Sequence, residues 1–472
     1  MDDVRESFVG PEGRAAGAVP RAVVALAAVV LATGIGATGA LAADLGRPAP
    51  AAVDYVKVCD AYGTGFFYIP GSETCLRIGG YVRAEYRTGD SNPTYRFQGS
   101  KTNYSGPYSW SNDRNRNAVY TRGRALLDID ARTNTEFGLL RSMIEVYWTV
   151  NTGSSSSAVN TAVDYAYVQW GGLTAGRTQT VFDFFTGFAY GAVFGYDTSA
   201  RRVNLLSYTY SFGNGIGLTV ALEDSSTSSS RRENGAFEGA AADSPLNGVQ
   251  YGGNRYPDVV AALKIQQDWG SAQVMGQAHH VRGQAVPGVT RGKDEWGYAV
   301  GAGVIVNLPM IAPGDQVALQ AAWGSGAPGT VFSPSVLFQG ENVSGTLRNG
   351  TAVSGSLANL GADAVYSNRG TMHLTEAWSV YGGYKHNFSP TWQHDLNIGY
   401  ADVDGFGARD YRQFEVVGDI RWKIVSGLTL GAELEYRTVD FSSKTISFYS
   451  GQGRKLRDDD AWVGMLRVQR DF

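Results

Sequence analysis

From residue 75 onward the chain divides into segments of alternating apolar and polar residues, and the gaps between those segments alternate in length. Successive side chains of a strand point to opposite faces. Each segment therefore reads as a strand with one apolar and one polar side. The predicted strands are 75–88, 117–132, 135–151, 160–171, 173–180, 203–213, 215–224, 257–269, 270–282, 295–308, 314–326, 374–389, 391–403, 410–424, 427–443 and 459–472, sixteen in all. Tight gaps follow the even-numbered strands: Thr133-Asn134, Gly172, Asn214, the Trp269-Gly270 junction, Pro390 and Val425-Ser426, with a slightly longer turn near Leu308-Pro309. The gaps after the odd-numbered strands are longer, at 89–116, 152–159, 181–202, 225–256, 283–294, 327–373, 404–409 and 444–458. Outer-membrane barrels are built this way, with short periplasmic turns and long extracellular loops. A soluble sandwich has no reason to sort its loops by parity. The expected fold is all-β, a transmembrane antiparallel barrel of sixteen strands.

The faces agree with that reading. In the first strand Leu76, Ile78, Val82, Ala84 and Tyr86 share one side, and Arg77, Arg83, Glu85 and Arg87 share the other. In the third, Leu140, Ile144, Val146 and Trp148 oppose Arg141, Glu145 and Tyr147. The last strand places Trp462, Gly464, Leu466 and Val468 on one face and Arg467, Gln469 and Asp471 on the other, and it ends in Phe472. Trp170, Trp269, Trp296, Trp392 and Trp422 lie near strand ends, as aromatic girdles at the two membrane interfaces require. Arg470 interrupts the apolar face of the last strand and is expected to snorkel to the interface. The Ser-rich stretch 224–232 and the Gly/Ser/Asn-rich 324–370 fall in gaps and read as exposed loops, although 327–373 has room for extra strands.

Several function classes are excluded. The mature chain has no stretch near the ~20 apolar residues that a spanning helix needs. A formal net charge of -4 with interspersed signs offers no basic footprint for nucleic acid. There is no G-x-S-x-G elbow and no H-E-x-x-H, and His279-His280 has no partner pattern, so no enzyme is expected. No cofactor or metal is expected either.

The apolar run 22–32 followed by Ala40-Leu41-Ala42 reads as a signal peptide over 1–42, leaving an N-terminal periplasmic segment 43–74 ahead of the barrel at 75–472. The stretch before the run is acidic where a basic n-region belongs, which a downstream start codon would explain. Export places the two cysteines, Cys59 and Cys75, in an oxidising compartment. A disulfide, worth about 3 kcal/mol for a loop of that length, is the better reading. A metal site would need further ligands, and none of the five histidines lies in this region.

Residues 56–83 (VKVCDAYGTGFFYIPGSETCLRIGGYVR) closely resemble the N-terminal signature of the alphaproteobacterial outer-membrane porins, the general porins of rhizobia and brucellae. Residues 166–184 (AYVQWGGLTAGRTQTVFDF) resemble the strand pair that leads into that family's constriction loop, and Phe472 is similar to its terminal aromatic. The resemblance implies a sixteen-stranded barrel, usually a homotrimer, in outer-membrane lipid, passing small hydrophilic solutes and ions by passive diffusion. It also implies that Phe472 is an assembly signal read by the barrel-assembly machinery.

A barrel of this size encloses an aqueous channel, so selectivity must arise where the channel narrows. In general porins the third long loop folds inward. Here that loop is about 181–202, which carries Asp183 and Asp197 among aromatic residues and glycines. The inward faces of the early strands supply Arg77, Arg83, Arg87, Arg122, Arg124 and Arg141. An acidic loop facing a basic wall would set a transverse field across the narrowing. Lumenal salt bridges that stiffen the barrel are the alternative for each arginine, a turn-capping carboxylate is the alternative for Asp183, and Arg201 and Arg202 are candidates to pair with Asp197. A substrate-specific channel, or a barrel acting mainly as an adhesin or receptor, are the competing functions.

Overall fold

Sixteen antiparallel strands pair in chain order, and the last pairs with the first, so the sheet closes with no free edge. The computed structural model describes residues 57–89, 119–152, 159–191, 201–224, 252–283, 285, 292–331, 342–346, 352–356, 363–366, 371–405, 410–443 and 459–472. The expected signal peptide, residues 43–56 and Asp197 lie outside these. The barrel strands are β1 Cys75–Gly89, β2 Val119–Thr135, β3 Gly138–Asn151, β4 Asn160–Trp170, β5 Leu173–Gln179, β6 Arg202–Gly213, β7 Ile216–Glu223 and β8 Asp258–Gln267. They continue with β9 Gly270–Arg282, β10 Asp294–Asn307, β11 Gln316–Ser325, β12 Glu376–Asn387, β13 Trp392–Asp404, β14 Tyr411–Val425, β15 Leu428–Phe441 and β16 Asp459–Asp471. Among the described residues no helix is long and apolar enough to cross a membrane.

The alternation settles which face meets lipid. Ile78, Val82 and Tyr86 of β1, Leu140, Ile144 and Trp148 of β3, and Trp462 and Val468 of β16 are exposed on the outside, while Glu85, Arg87 and Arg467 are buried on the inside. Trp170, Trp269, Trp296 and Trp422 are exposed on the outer surface near strand ends, and Trp392 stacks on Trp422 with ring centroids 5.6 Å apart. The terminal Phe472 continues the β1–β16 pairing: its N–H donates to the Gly80 carbonyl at 3.0 Å and its carbonyl accepts the Gly80 N–H at 3.2 Å. Gly80 must stay bare, since a Cβ there would sit 3.2 Å from the Phe472 ring and 2.1 Å from the Leu126 carbonyl oxygen. Arg470 is exposed on the outer face, and its Nη1 donates to the Ser426 carbonyl at 2.8 Å. It caps the β14–β15 turn, which is how the apolar face accommodates it.

Two sequence expectations shift. The β2–β3 turn falls at Glu136-Phe137, because Thr133 and Asn134 still pair with Leu140 and Leu139. Gly138, at φ +105°, supplies the conformation that lets the strands reverse there. The 327–373 gap is not simply an exposed loop. Pro328–Val331 forms a helical turn buried inside the barrel, with Ser379 Oγ donating to the Val331 carbonyl at 2.8 Å. Asn342–Thr346 pairs with Ala352–Ser356, and Ala364–Tyr366 with Met372–Leu374. A β-bulge in β4 adds Asp164 as an unpaired residue between Val163 and Tyr165, which reverses the parity of that strand.

Candidate functional site: the lumen and its inward-folded loop

Beyond β5 the chain turns into the barrel and runs along the inner wall. Several of its donors are taken up by side-chain acceptors on the wall. Thr180 Oγ1 and the Val181 N–H donate to Glu223 on β7, each at 2.7 Å. Phe184 and Phe185 donate to Gln320 on β11 at 3.3 and 2.8 Å, and Phe188 to Asn397 on β13 at 3.1 Å. Tyr190 donates to Asp419 on β14 and Gly191 to Glu433 on β15, both at 2.8 Å. A buried backbone N–H that finds no partner is costly, so this row of carboxylate and amide oxygens is what makes the inward path available. The wall is cut back to meet the loop's rings. A Cβ added at Gly303 would lie 2.4 Å from Phe184, one at Gly383 2.6 Å from Phe185, and one at Gly431 2.6 Å from Tyr190.

The described end of the loop meets a basic cluster. The Tyr190 ring lies 4.0 Å from the Arg421 guanidinium and 3.8 Å from that of Arg467. Burial, with Asp419 and Glu433 nearby, pushes the Tyr190 phenol up to about 12 against the pull of Arg421 and Arg467. The ring therefore stays neutral and offers its face to both cations. Arg467 in turn holds Glu85, through Nε at 3.0 Å and Nη2 at 2.6 Å. Arg87 Nε donates to the same carboxylate at 3.0 Å, and Arg83 and Arg122 stand 3.6 and 3.9 Å from it. Four guanidiniums thus converge on one buried carboxylate. Arg83 also lies directly across the β1–β2 ladder from Arg124, a like-charge pairing that a sheet disfavours.

The expected basic wall separates into two groups. Arg83, Arg87, Arg122 and Arg124 form the Glu85 neighbourhood, with Arg124 donating to Thr149 Oγ1 at 2.8 Å and stacking on Tyr147. Arg77 and Arg141 sit nearer the periplasmic strand ends, where Arg77 pairs with Asp128 at 3.4 Å and Arg141 with Asp130 at 2.9 Å. Asp183 is buried at the root of the loop and accepts a hydrogen bond from Gln179. Arg202 pairs with Asp164 at 3.4 Å and donates to Gln179 at 3.0 Å. Cys59 and Cys75 form a disulfide with Cα atoms 5.9 Å apart. It closes a small aromatic cluster with Phe66, onto which Arg132 stacks at 4.8 Å. Sequence reasoning passed over Arg421 and the acceptor row, and it left Glu85 and Arg467 unassigned although both have the lumenal parity.

A family model described as the porin subfamily matches residues 47–465. The chain belongs to that family. Porin Omp2b of Brucella suis is 28% identical over 457 residues, covering 93% of this chain and 96% of the relative. Porin Omp2b of Brucella abortus (strain 2308) is 27% identical over 452 residues, with the same coverage of both chains. Among solved structures, the outer-membrane channel DcaP of Acinetobacter baumannii superposes with a TM-score of 0.57 at 15% identity, covering 86% of this porin and 99% of DcaP. That likeness concerns the fold. The porin is a passive channel of the bacterial outer membrane, with the lumen as its path.

Proposed function

We propose that this porin passes small hydrophilic solutes and ions as a homotrimer and sets ion preference where Tyr190 of the inward loop meets the basic wall. The observation that carries this is the convergence of Arg83, Arg87, Arg122 and Arg467 on the single carboxylate of Glu85. Arg124 extends the patch, and Asp183 and Asp197 supply the negative charge of the loop. Arg77 and Arg141 act at the periplasmic mouth. Fixed charges on a low-dielectric wall focus the field in the water between them and favour one sign of ion. Barrel assembly relies on Phe472 as the residue that the assembly machinery reads. The test is reconstitution into planar bilayers. Replacing Arg122 and Arg124 together by glutamine moves the reversal potential toward cation preference, and an unchanged potential removes them from the selectivity region. Conductance steps in groups of three support the trimer, and absence of conductance refutes the channel reading.

A further inference from the structure

The outer surface carries a second cluster of charge at the rim where the long loops emerge. Arg282 ends β9 and Asp294 begins β10, and the two are register partners beyond the His280–Trp296 pair. The segment before β8 is held to the same place, with the Gly252 N–H donating to the Arg282 carbonyl at 2.7 Å. That segment brings Arg255 and Tyr256 onto this face. The Arg255 and Arg282 guanidiniums share one carboxylate, Asp294, at 3.9 and 3.5 Å. Neither separation is that of a well-formed hydrogen bond. Among the described residues two guanidiniums thus meet one carboxylate there, and Arg255 is 58% exposed along its side chain.

Beneath the charges lies an aromatic floor. Tyr256 and Trp296 stack with centroids 5.8 Å apart, and both pack edge-on against His280, at 5.0 and 5.1 Å. His280 is 4% exposed, and its Nδ1 finds no hydrogen-bond partner among the described residues. Deeper toward the membrane centre the same face presents Tyr298, Val300 and Val274, all exposed. From rim to centre the order is guanidiniums, stacked rings, then aliphatic surface. A membrane lipid has the same order of headgroup, interface and acyl chain. Rings seat at the interface, and basic pockets beside it bind anionic headgroups.

We propose that Arg255 and Arg282, over the Tyr256–Trp296 stack, form a binding site for a phosphorylated lipid headgroup of the outer leaflet. A phosphate with its oxygens between the two guanidiniums gains charge-assisted hydrogen bonds that Asp294 does not provide at these distances. The acyl chains follow the aliphatic strip below. Asp294 opposes the phosphate and weakens the site it helps to position.

Native mass spectrometry of the full-length porin in detergent tests the site, with phosphatidic acid as probe and diacylglycerol of the same chains as its dephosphorylated counterpart. The expected result is retention of phosphatidic acid over diacylglycerol. In Arg255→Gln/Arg282→Gln that retention falls roughly thirtyfold, from the scale of an arginine near an anionic surface, while channel conductance stays unchanged. Asp294→Asn tightens retention about fivefold, and this decides the matter if the double variant fails to fold. Equal retention of the two lipids, or no change in the double variant, overturns the proposal. Displacement by inorganic phosphate at equal concentration also overturns it, because the site would then read a free ion rather than a lipid.

Discussion

Removing the two carboxylates that hold Tyr190 and Gly191 of the inward loop provides the sharpest test of how the lumen is organised. Asp419 accepts the Tyr190 N–H and Glu433 the Gly191 N–H, both at 2.8 Å. A hydrogen bond to a charged acceptor contributes about 1.5–3 kcal/mol. The double variant Asp419→Ala/Glu433→Ala thus loses roughly 3–6 kcal/mol of attachment, a change of about 10²–10⁴ in the ratio of attached to detached segment. Gln320 and Asn397 still anchor the loop upstream, and Phe185 stays packed on Phe188 and Tyr381 at centroid distances of 4.8 and 5.3 Å. Tyr190 and Gly191 lose these two anchors. Tyr190 keeps its contacts with Arg421 and Arg467, each worth ~0.5–2 kcal/mol, so the detached state becomes comparable in population rather than complete. Single-channel recording of the refolded porin reads this as increased open-channel current noise with frequent conductance steps. Glu433→Gln, which keeps an acceptor oxygen, stays close to the parent. If the double variant folds, as judged by heat-modifiable gel mobility, and its noise and conductance match the parent, the acceptor row does not hold the inward loop in place.

Three further outcomes follow from the same geometry. Glu85→Ala leaves the Arg83, Arg87, Arg122 and Arg467 guanidiniums around an empty site and is expected to cost about 3–5 kcal/mol, the scale of breaking a buried ion pair, read as a lower urea midpoint. An unchanged midpoint would mean that lumenal water and counterions already compensate these charges. Cys59→Ser/Cys75→Ser removes about 3 kcal/mol of loop-closure stabilisation, and limited proteolysis should then cut within 57–74 while the barrel keeps its mobility; an uncut segment would show that the Phe66 cluster suffices. Asp315, in the β10–β11 turn, is buried, which raises its pKa. Hydrogen bonds from His386 at 2.6 Å and from the Asn387 N–H at 2.8 Å outweigh that and hold it below the usual carboxylate range. A depressed folded pKa stabilises above the unfolded value of about 3.9 and is lost as pH falls through the folded one. Acid unfolding of Asp315→Asn should therefore be less steep over that window than in the parent, and identical acid limbs would count against the assignment.

The residues themselves determined the strand number, the sidedness of the strands whose alternation is unbroken and the closure of the sheet. A period of two that persists through sixteen segments, with turn lengths sorted by parity, leaves a barrel as the arrangement that gives each apolar face lipid and each polar face water. The lumenal parity of Arg83, Arg87, Arg122 and Arg124 was equally legible, because facing is a local property of a strand. What the alternation did not contain was which lumenal groups meet. Glu85 and Arg467 lie far apart in sequence and are joined only because β16 closes onto β1. The acceptors of the loop come from β7, β11, β13, β14 and β15, and no local pattern marks Asn397 or Glu433 as partners of a segment some two hundred residues away. The turn at Glu136-Phe137 lies three residues beyond the expected one and the bulge at Asp164 adds one residue, a scale on which propensity is silent and pairing decides. Closure of the barrel turned separate one-sided strands into a shared lumen, and the charges that face one another across it are a property of that closure.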